Sequence, residues 1–370
     1  MKIEQVALHE VALPLVSPFR TSVGVQEHRV ALLVELRTDD GVTGWGECVA
    51  EEDPSYASEY LSGAREVIRR FLLPVLTADP RLSAARAAEL MKPVRGHRMA
   101  KAAVEMALLD AELRRAGISL AEHLGAVRES VPVGVSVGIM DSLDELITAV
   151  DGYLGAGYAR IKLKIEPGWD LEPVAAVRET FGSAVALQVD ANTAYSPVDL
   201  AHLRKLDAFG LTLIEQPFAP DDLETHARLA ARIDTPVCLD ESITSARDAV
   251  TALRQGACSI VNVKPGRVGG YLEARRIHDL CQAAGVPVWC GGMLETGLGR
   301  AANLALAALP GFTLPGDISA SARYFHRDIT DPFVLEGGRL RVPSGPGIGI
   351  APDAAGLAAA LVTTDLVPLG

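Results

Sequence analysis

ARIKLKI, at residues 159–165, is the second of eight short apolar segments whose even spacing decides the fold. The others are VPVGVSVG (131–138), AVALQVD (184–190), LTLIEQP (211–217), PVCLDES (236–242), SIVNVKP (259–265), PVWCGGM (287–293) and FTLPGDI (312–318). Corresponding positions near the ends of successive segments lie 24 to 27 residues apart, with amphipathic helical stretches between them. An open doubly wound sheet also alternates strands and helices, but eight such even units favour a closed (β/α)8 TIM-like barrel.

Two further regions flank the predicted barrel of residues 126–318. Residues 1–125 are predicted to form an α+β domain, because the first 50 residues alternate like strands and helical spacing follows. A hairpin turn is predicted at residues 39–41, which read DDG. Residues 319–370 return to hairpin patterns, and we expect this C-terminal segment to pack back on the first domain.

The composition is that of a globular protein with a large core. The 370 residues are 49% hydrophobic and carry a net charge of −12, which argues against nucleic acid or an anionic membrane as a partner. No apolar run approaches the roughly 20 residues of a membrane span, and the first residues lack a signal-peptide core. Five cysteines form no CxxC pair and are expected to be reduced core residues of a cytoplasmic protein: Cys48, Cys238, Cys258, Cys281 and Cys290.

Charged residues stand where consecutive predicted strands end, and in a barrel this is the face that carries catalytic groups. They are Lys162, Lys164, Asp190, Glu215, Asp240, Glu241 and Lys264. Since side chains alternate along a strand, both lysines of the second strand point inward while Ile161 and Leu163 face the helices. A single charge at a strand end is usually solvated or half of an ion pair. Charges at one level on five consecutive strands indicate a functional site instead.

The types of these residues predict a particular chemistry. Three carboxylates without His or Cys form an oxygen-only site, which suits Mg²⁺ and disfavours zinc. Lys164 and Lys264 stand on strands two and six of eight, half the circumference apart, so a substrate carboxylate on the metal places its α-carbon between two amines. Removal of the α-proton creates an enediolate, which the metal and Lys162 can stabilise. The neighbouring cation and the metal lower a lysine pKa toward the range of a base.

These segments resemble the enolase superfamily in its muconate-lactonizing subgroup. The resemblance rests on KLK (162–164), DAN (190–192), IEQP (214–217), LDES (239–242) and VNVKPGRVGG (261–270), and it covers the whole chain. Longer runs resemble the group of o-succinylbenzoate synthases and N-acylamino acid (N-succinylamino acid) racemases: GHRMAKAAVEMALLDAE (96–112), RIKLKIEPGWD (160–170) and WCGGMLETGLGRAAN (289–303). The resemblance implies that the first domain, completed by the C-terminal segment, caps the barrel.

The resemblance also implies roles for the charged residues. Asp190, Glu215 and Asp240 become ligands of Mg²⁺, with Mn²⁺ or Co²⁺ as substitutes. Lys164 and Lys264 become the acid/base pair, Lys162 an electrostatic helper, and Asn192 and Glu241 supporting residues. The implied reactions are a dehydration in menaquinone biosynthesis, the racemisation of N-acylamino acids, or both, on a small carboxylate substrate. The family further implies a homo-oligomer.

The substrate pocket is expected to be lined from the first strand, the seventh strand and the first domain. Its candidate residues are Phe19, Ser136, Gly292, Met293, Leu294 and Asp317, with Met293 and Leu294 equally compatible with ordinary core. Phe19 lies in a loop that could close over the site. Dipeptide epimerases of the superfamily carry an Asp-x-Asp pair at the eighth strand, where this chain has only Asp317, which favours an N-acylated or amine-free substrate. A dipeptide epimerase and a muconate-type cycloisomerase remain alternatives.

Two rival interpretations come from other classes of protein. Residues 134–138 read GVSVG and match the G-x-S-x-G elbow of serine hydrolases, with Ser136 as the nucleophile. That motif requires a strand-to-helix turn, whereas here it falls inside the first predicted strand. A binding barrel without activity would be favoured if either Lys164 or Lys264 were absent, and both are present.

Overall fold

The structure is a computed structural model that describes residues 1–369, and it begins with an antiparallel sheet. The first three strands are β1 (Ile3–Arg20), β2 (Val25–Thr38) and β3 (Thr43–Cys48), which pair in order. The predicted turn joins β2 to β3: Gly41 adopts a φ of +83°, and the backbone N–H of Thr38 donates to the carbonyl of Val42. The hairpin prediction is therefore confirmed.

Helices follow this sheet and pack against it. They are α1 (Leu61–Val67), α2 (Leu73–Thr77), α3 (Ala84–Leu90), α4 (Arg98–Ala116) and α5 (Leu120–Leu124), with a single wide turn between α1 and α2. The longest of them, α4, buries Ala103, Ala107 and Ala111 against the glycines of β3. Because Ala side chains are small, the helix axis approaches the strands closely, and this contact forms the core of the first domain.

Seven short parallel strands form the second sheet, and their order along the sheet is their order in the chain. They are β5 (Val135–Val137), β6 (Ile161–Lys164), β7 (Leu187–Asp190), β8 (Ile214–Glu215), β9 (Val237–Leu239), β10 (Ile260–Val263) and β11 (Val288–Cys290). The intervening helices are α6 (Leu143–Gly155), α7 (Leu171–Phe181), α8 (Leu200–Leu203), α9 (Leu223–Ala230), α10 (Ala246–Arg254), α11 (Pro265–Val268), α12 (Tyr271–Ala283) and α13 (Gly297–Ala307). This curled sheet with outer helices is the predicted TIM-like barrel.

The eighth predicted strand, at residues 312–318, is the one segment that differs. It closes the barrel through isolated bridges, from Phe312 to Val288 on one side and from Gly316 to Val133 on the other. Pro315 lacks a backbone N–H, so a continuous ladder cannot form across this segment. The chain therefore completes the ring of strands without a regular eighth strand.

The C-terminal segment connects both parts of the fold. Strand β12 (Arg339–Arg341) pairs with β4 (Ser130–Pro132) below the barrel. After α14 (Ala354–Ala360), strand β13 (Leu361–Val367) pairs antiparallel with β1, so the first sheet has the order β13-β1-β2-β3. All five cysteines are buried free thiols, as expected. No helix within residues 1–369 combines the length and the apolar character needed to cross a membrane.

Candidate active site

The strand register brings the charged residues together at the carboxyl ends of neighbouring strands. Lys164 on β6 is the register partner of Asp190 on β7, which in turn is the partner of Glu215 on β8. The partner of Glu215 on β9 is Cys238, so Asp240 follows two residues later on the same side. Because paired residues of a parallel sheet point the same way, these side chains share the barrel interior. Each of the three carboxylates is at most 1% exposed.

Lys162 lies deepest among the three lysines. Its Nζ is 3.0 Å from Oδ2 of Asp190 and 3.0 Å from Oε2 of Glu215. Burial opposes the charged form of Lys162, but Asp190, Asp317 and Glu215 together outweigh it and raise its pKa. A buried amine with this many acidic neighbours stays protonated, which suits a fixed positive charge and not a base.

Lys164 occupies a different environment two residues further along the strand. Its Nζ is 2.6 Å from Oδ2 of Asp190 and 2.5 Å from Oδ1 of Asn192. Burial and the charge of Lys162 lower the pKa of Lys164, although Asp190 acts in the opposite direction. Asn192 is held in turn by a hydrogen bond of 2.9 Å from its Nδ2 to Oε1 of Glu241. Of the three lysines, Lys164 is the one whose pKa the surroundings lower.

Lys264 follows β10, four strands from Lys164 in the sheet order. Its Nζ donates to Oδ2 of Asp240 at 2.8 Å and to the hydroxyl of Tyr56 at 3.0 Å. Burial opposes its charge, but Tyr56, Glu241 and Glu215 raise the pKa of Lys264. The surroundings therefore shift the two lysine pKa values in opposite directions, down for Lys164 and up for Lys264.

A cavity of about 570 Å³ lies between these lysines and the first domain. Of the residues predicted from the sequence, it is lined by Phe19, Ser136, Lys162, Lys164, Asn192, Lys264, Gly292, Met293, Leu294 and Asp317. The three carboxylates and Glu241 lie behind this lining. The volume fits a small carboxylate substrate.

The first domain forms the roof of the cavity. The prediction that Phe19 lies in a loop is wrong, because Phe19 pairs with Gln26 near the end of β1. Its ring packs edge-on against Tyr324, with 6.3 Å between ring centroids. Arg20, the last residue of β1, pairs with Glu166 of the barrel at 3.1 Å, and in the loop that follows the hydroxyl of Ser22 donates to the carbonyl of Ala191 at 2.9 Å. The loop expected to cover the site is therefore fastened to the barrel mouth.

Two of the predicted pocket residues have a different environment from the one expected. Asp317 lies beside two cations, Arg160 at 2.7 Å and Lys162 at 2.5 Å, and so it is not free to hold a substrate ammonium. Ser136 stands inside β5 with a buried hydroxyl that has no hydrogen-bonding partner, His and Asp included. The serine-hydrolase alternative consequently has no geometric support.

Sequence reasoning missed three residues of the site. Tyr56 and Tyr324 line the cavity from loops. Loops lack the regular alternation of side chains that predicts which strand residues point inward. Arg267 contacts the second carboxylate oxygen of Asp240 and donates from Nε to the carbonyl of Ile243 at 2.8 Å. A signal for Arg267 existed, since it lies only three residues after Lys264 at the start of a helix.

The donor set fits a hard divalent cation in its chemistry. The carboxylates of Asp190, Glu215 and Asp240 are buried, stand on three consecutive strands, and have oxygen as their only ligating atom. Their oxygens are paired with lysine and arginine nitrogens, and within residues 1–369 no three acidic, histidine or cysteine side chains converge on one point as a metal cluster. Binding of a cation at these residues therefore requires the ammonium groups to release carboxylate oxygens.

A barrel that places lysines and carboxylates under a roof supplied by a second domain defines a class of enzymes acting on an enclosed small molecule. Residues 145–356 match the family model "Enolase C-terminal domain-like", and residues 3–125 match "Mandelate racemase / muconate lactonizing enzyme, N-terminal domain". The chain thus belongs to the mandelate racemase/muconate lactonizing enzyme family of the enolase superfamily.

Individual relatives are similar over nearly the full length. An N-succinylamino acid racemase of an Amycolatopsis species is 61% identical, and the match covers 95% of each chain. An o-succinylbenzoate synthase of Geobacillus kaustophilus is 47% identical over 95% of this chain and 94% of that protein. A crystal structure of an enolase superfamily member from Listeria innocua matches with a TM-score of 0.95 at 41% identity and covers 100% of both chains. These matches bear out the predicted family and fold.

Proposed function

We propose that this enzyme removes the proton α to a substrate carboxylate through an enediolate, as an o-succinylbenzoate synthase, an N-succinylamino acid racemase, or both. One observation carries the proposal: Lys164 and Lys264 line one cavity from strands that stand four apart in the barrel. An α-carbon held between them exposes each face to one amine. The two reactions share the first proton transfer, so a single site can serve both.

The different surroundings of Lys164 and Lys264 give the two lysines different acid/base roles. In racemisation, Lys164 takes the α-proton from one face while Lys264 delivers a proton to the other, and the opposite enantiomer uses them in reverse. In the dehydration, Lys164 takes the α-proton and returns it to the departing hydroxyl, which leaves as water, while Lys264 stays charged beside the intermediate. The lowered pKa of Lys164 and the raised pKa of Lys264 support the dehydration and the direction of racemisation in which Lys164 is the base.

Asp190, Glu215 and Asp240 are the residues proposed to hold Mg²⁺, with Mn²⁺ or Co²⁺ as substitutes, supported by Asn192 and Glu241. When bound, the cation would supply a Lewis acid that stabilises negative charge on the substrate carboxylate. Lys162 adds a fixed positive charge on the same side of the cavity. The roof formed by Phe19 and the loop after β1 keeps bulk water from the enediolate.

Two alternatives within the superfamily receive less support. An L-Ala-D/L-Glu epimerase of Bacillus subtilis is 29% identical over 95% of this chain, and a muconate lactonizing enzyme structure from Pseudomonas fluorescens matches at 29% identity over 97%. A dipeptide substrate with a free ammonium group is disfavoured, because the oxygens of Asp317 already face Arg160 and Lys162. A cycloisomerase is disfavoured because the sequence identity of this chain to several synthases and racemases is higher, at 46–61%.

Proton exchange tests the proposal directly. We expect the purified protein with Mg²⁺ in D₂O to exchange the α-proton of an N-succinylamino acid, followed by NMR, and Lys164→Ala and Lys264→Ala to abolish that exchange. Lys205→Ala is the matched control, since Lys205 is exposed and does not line the cavity. Absence of exchange with any N-acylated amino acid, together with no turnover of the cyclohexadiene precursor of o-succinylbenzoate, would refute the proposal.

The assembly and location of the protein also belong to this proposal. We propose a cytoplasmic homo-oligomer without nucleic-acid or membrane partners. Its support is the exposure of Leu361, Val362 and Leu366 on β13, the outermost strand of the first sheet, together with five free thiols. Sedimentation velocity tests the assembly, and a monomer at micromolar concentration would contradict it.

A further inference from the structure

A buried group of side chains lies directly under the proposed reaction centre. Oδ2 of Asp317 is 2.5 Å from Nζ of Lys162, and its Oδ1 is 2.7 Å from Nη1 of Arg160. The Arg160 and Asp317 side chains are 2% and 8% exposed. One carboxylate, on the segment that closes the barrel, thus bridges two cations: Lys162 within β6 and Arg160, the residue before that strand.

Arg160 is itself fixed from two directions. Its Nη2 donates to the carbonyl of Pro315 at 2.8 Å, and its guanidinium lies 5.3 Å from the ring centroid of Trp289. The ammonium of Lys162 lies 5.0 Å from a ring of the same tryptophan. Aromatic faces attract cations but carry no net charge, so Trp289 cannot replace a counter-ion. Asp317 is the charged partner that both cations share.

Lys162 has three carboxylate neighbours, but they are not equivalent. Asp190 and Glu215 are proposed to bind the metal, and a carboxylate that binds a divalent cation has less attraction left for an ammonium group. Asp317 is two strands or more from the other acids in the sheet order and is not among the proposed ligands. Asp317 is therefore the carboxylate in contact with Lys162 that a bound metal would leave available to pair with the ammonium group.

We propose that Asp317, anchored by Arg160, is a positioning residue that holds the ammonium of Lys162 beside the substrate carboxylate when Asp190 and Glu215 are engaged elsewhere. The inference rests on the proposed function for the role of Lys162, though not for its location. Without Asp317, the positive charge of a bound cation would repel the ammonium group of Lys162 and displace it from the substrate carboxylate. The residue predicted to bind substrate thereby acts through a lysine.

Kinetics of one set of variants separates this role from a merely structural one. We expect Asp317→Asn to lower kcat for racemisation by about 10- to 100-fold, with KM within about threefold of wild type. Arg160→Met should act in the same direction, and the two changes together should cost less than their product because both release Lys162. Asp317→Asn should add almost nothing in a Lys162→Met background.

Asp110→Asn provides the matched control. Asp110 is a fully buried carboxylate that pairs with Arg114 at 2.9 Å in the first domain, away from the cavity. Its substitution should lower the melting temperature without changing kcat. An Asp317→Asn effect that is equally large with and without Lys162 would overturn the proposal, as would a kcat within twofold of wild type.

A crystal structure with Mg²⁺ gives a readout independent of activity. In the wild type, Nζ of Lys162 should stay within hydrogen-bonding distance of Oδ2 of Asp317 while it leaves Asp190 and Glu215. In Asp317→Asn the ammonium should be displaced. An unchanged Lys162 in that variant would refute the positioning role even if the protein proved inactive on every N-acylamino acid, which would refute the proposed function separately.

Discussion

The hydroxyl of Tyr56, in the first domain, lies 3.0 Å from Nζ of Lys264 at the barrel mouth, and the ammonium stands 5.2 Å from the centroid of the tyrosine ring. The two residues are 208 positions apart in the chain. The contact combines a hydrogen bond with a cation–π interaction, so the first domain directly orients one of the two proposed acid/base groups. Closure of the roof and placement of Lys264 are therefore linked.

Substitution of Tyr56 should affect the two faces of the substrate unequally. The two enantiomers of an N-acylamino acid present their α-protons to opposite lysines, and Tyr56 touches only Lys264. We expect Tyr56→Leu to slow exchange from the enantiomer that faces Lys264 by about tenfold or more, and from the other enantiomer less. Separate D₂O exchange rates measure this. Tyr56→Phe, which keeps the ring, should retain more activity, and equal losses for both enantiomers would contradict the prediction.

Gly291 is a second position where a small change should disturb Lys264. A Cβ at this glycine would stand 2.3 Å from Oδ1 of Asn262 and 2.8 Å from Cε of Lys264. We expect Gly291→Ala to push the lysine aside and lower kcat at least tenfold, because displacements of about 1 Å at a reacting group are this costly.

Gly152→Ala is the control for that substitution. Gly152 lies within α6, and a Cβ there meets no atom within 4 Å. The change should leave kcat intact and stabilise the helix by up to about 1 kcal/mol. Measured steady-state kinetics that are equal for both variants would show that Lys264 tolerates the added methyl group.

Addition of Mg²⁺ should stabilise the folded protein. The proposed ligands are assembled only in the native chain, so a cation at about 100 times its dissociation constant contributes about 2.7 kcal/mol. We expect the melting temperature to rise with Mg²⁺ and to fall back with a chelator. Asp190→Asn and Glu215→Gln should lose the Mg²⁺-dependent rise, whereas Glu66→Gln, at an exposed ion pair, should keep it. A rise retained in both site variants would place the metal elsewhere.

Stability should also depend on pH through Glu105. This residue of α4 accepts backbone hydrogen bonds from Tyr271 at 2.5 Å and Leu272 at 3.3 Å, where α12 of the barrel begins. Burial raises the pKa of Glu105 from 4.5 to about 8. Between these values the native state binds a proton that the unfolded state has lost, so this residue makes the free energy of unfolding decrease as pH rises.

Glu105→Gln should remove that part of the pH dependence. A glutamine does not titrate, so the variant should lose less stability than the wild type between pH 5 and pH 9, by an amount on the order of a few kcal/mol. Denaturant unfolding at several pH values measures both curves. Parallel curves for the two proteins would show that Glu105 is already ionised at pH 5 in the native state.

The parallel barrel strands show how much of the fold could be predicted from the sequence. Seven of the eight predicted segments form strands at the expected places, because an apolar run of four to eight residues and its spacing are local properties. The eighth, around Pro315, was predicted by spacing alone and closes the barrel through isolated bridges. Pro315 was visible in the sequence, but its effect depends on which neighbours the segment meets.

The amino-acid sequence by itself determined the barrel, the family, and the lysines and carboxylates at the strand ends, since alternation along a strand fixes which side chains point inward. Only the tertiary structure decided their partners: Tyr56 with Lys264, and Asp317 with Arg160 and Lys162. The reason is that an ion pair or hydrogen bond depends on distances of a few ångströms between segments far apart in the chain, and no local pattern encodes such distances.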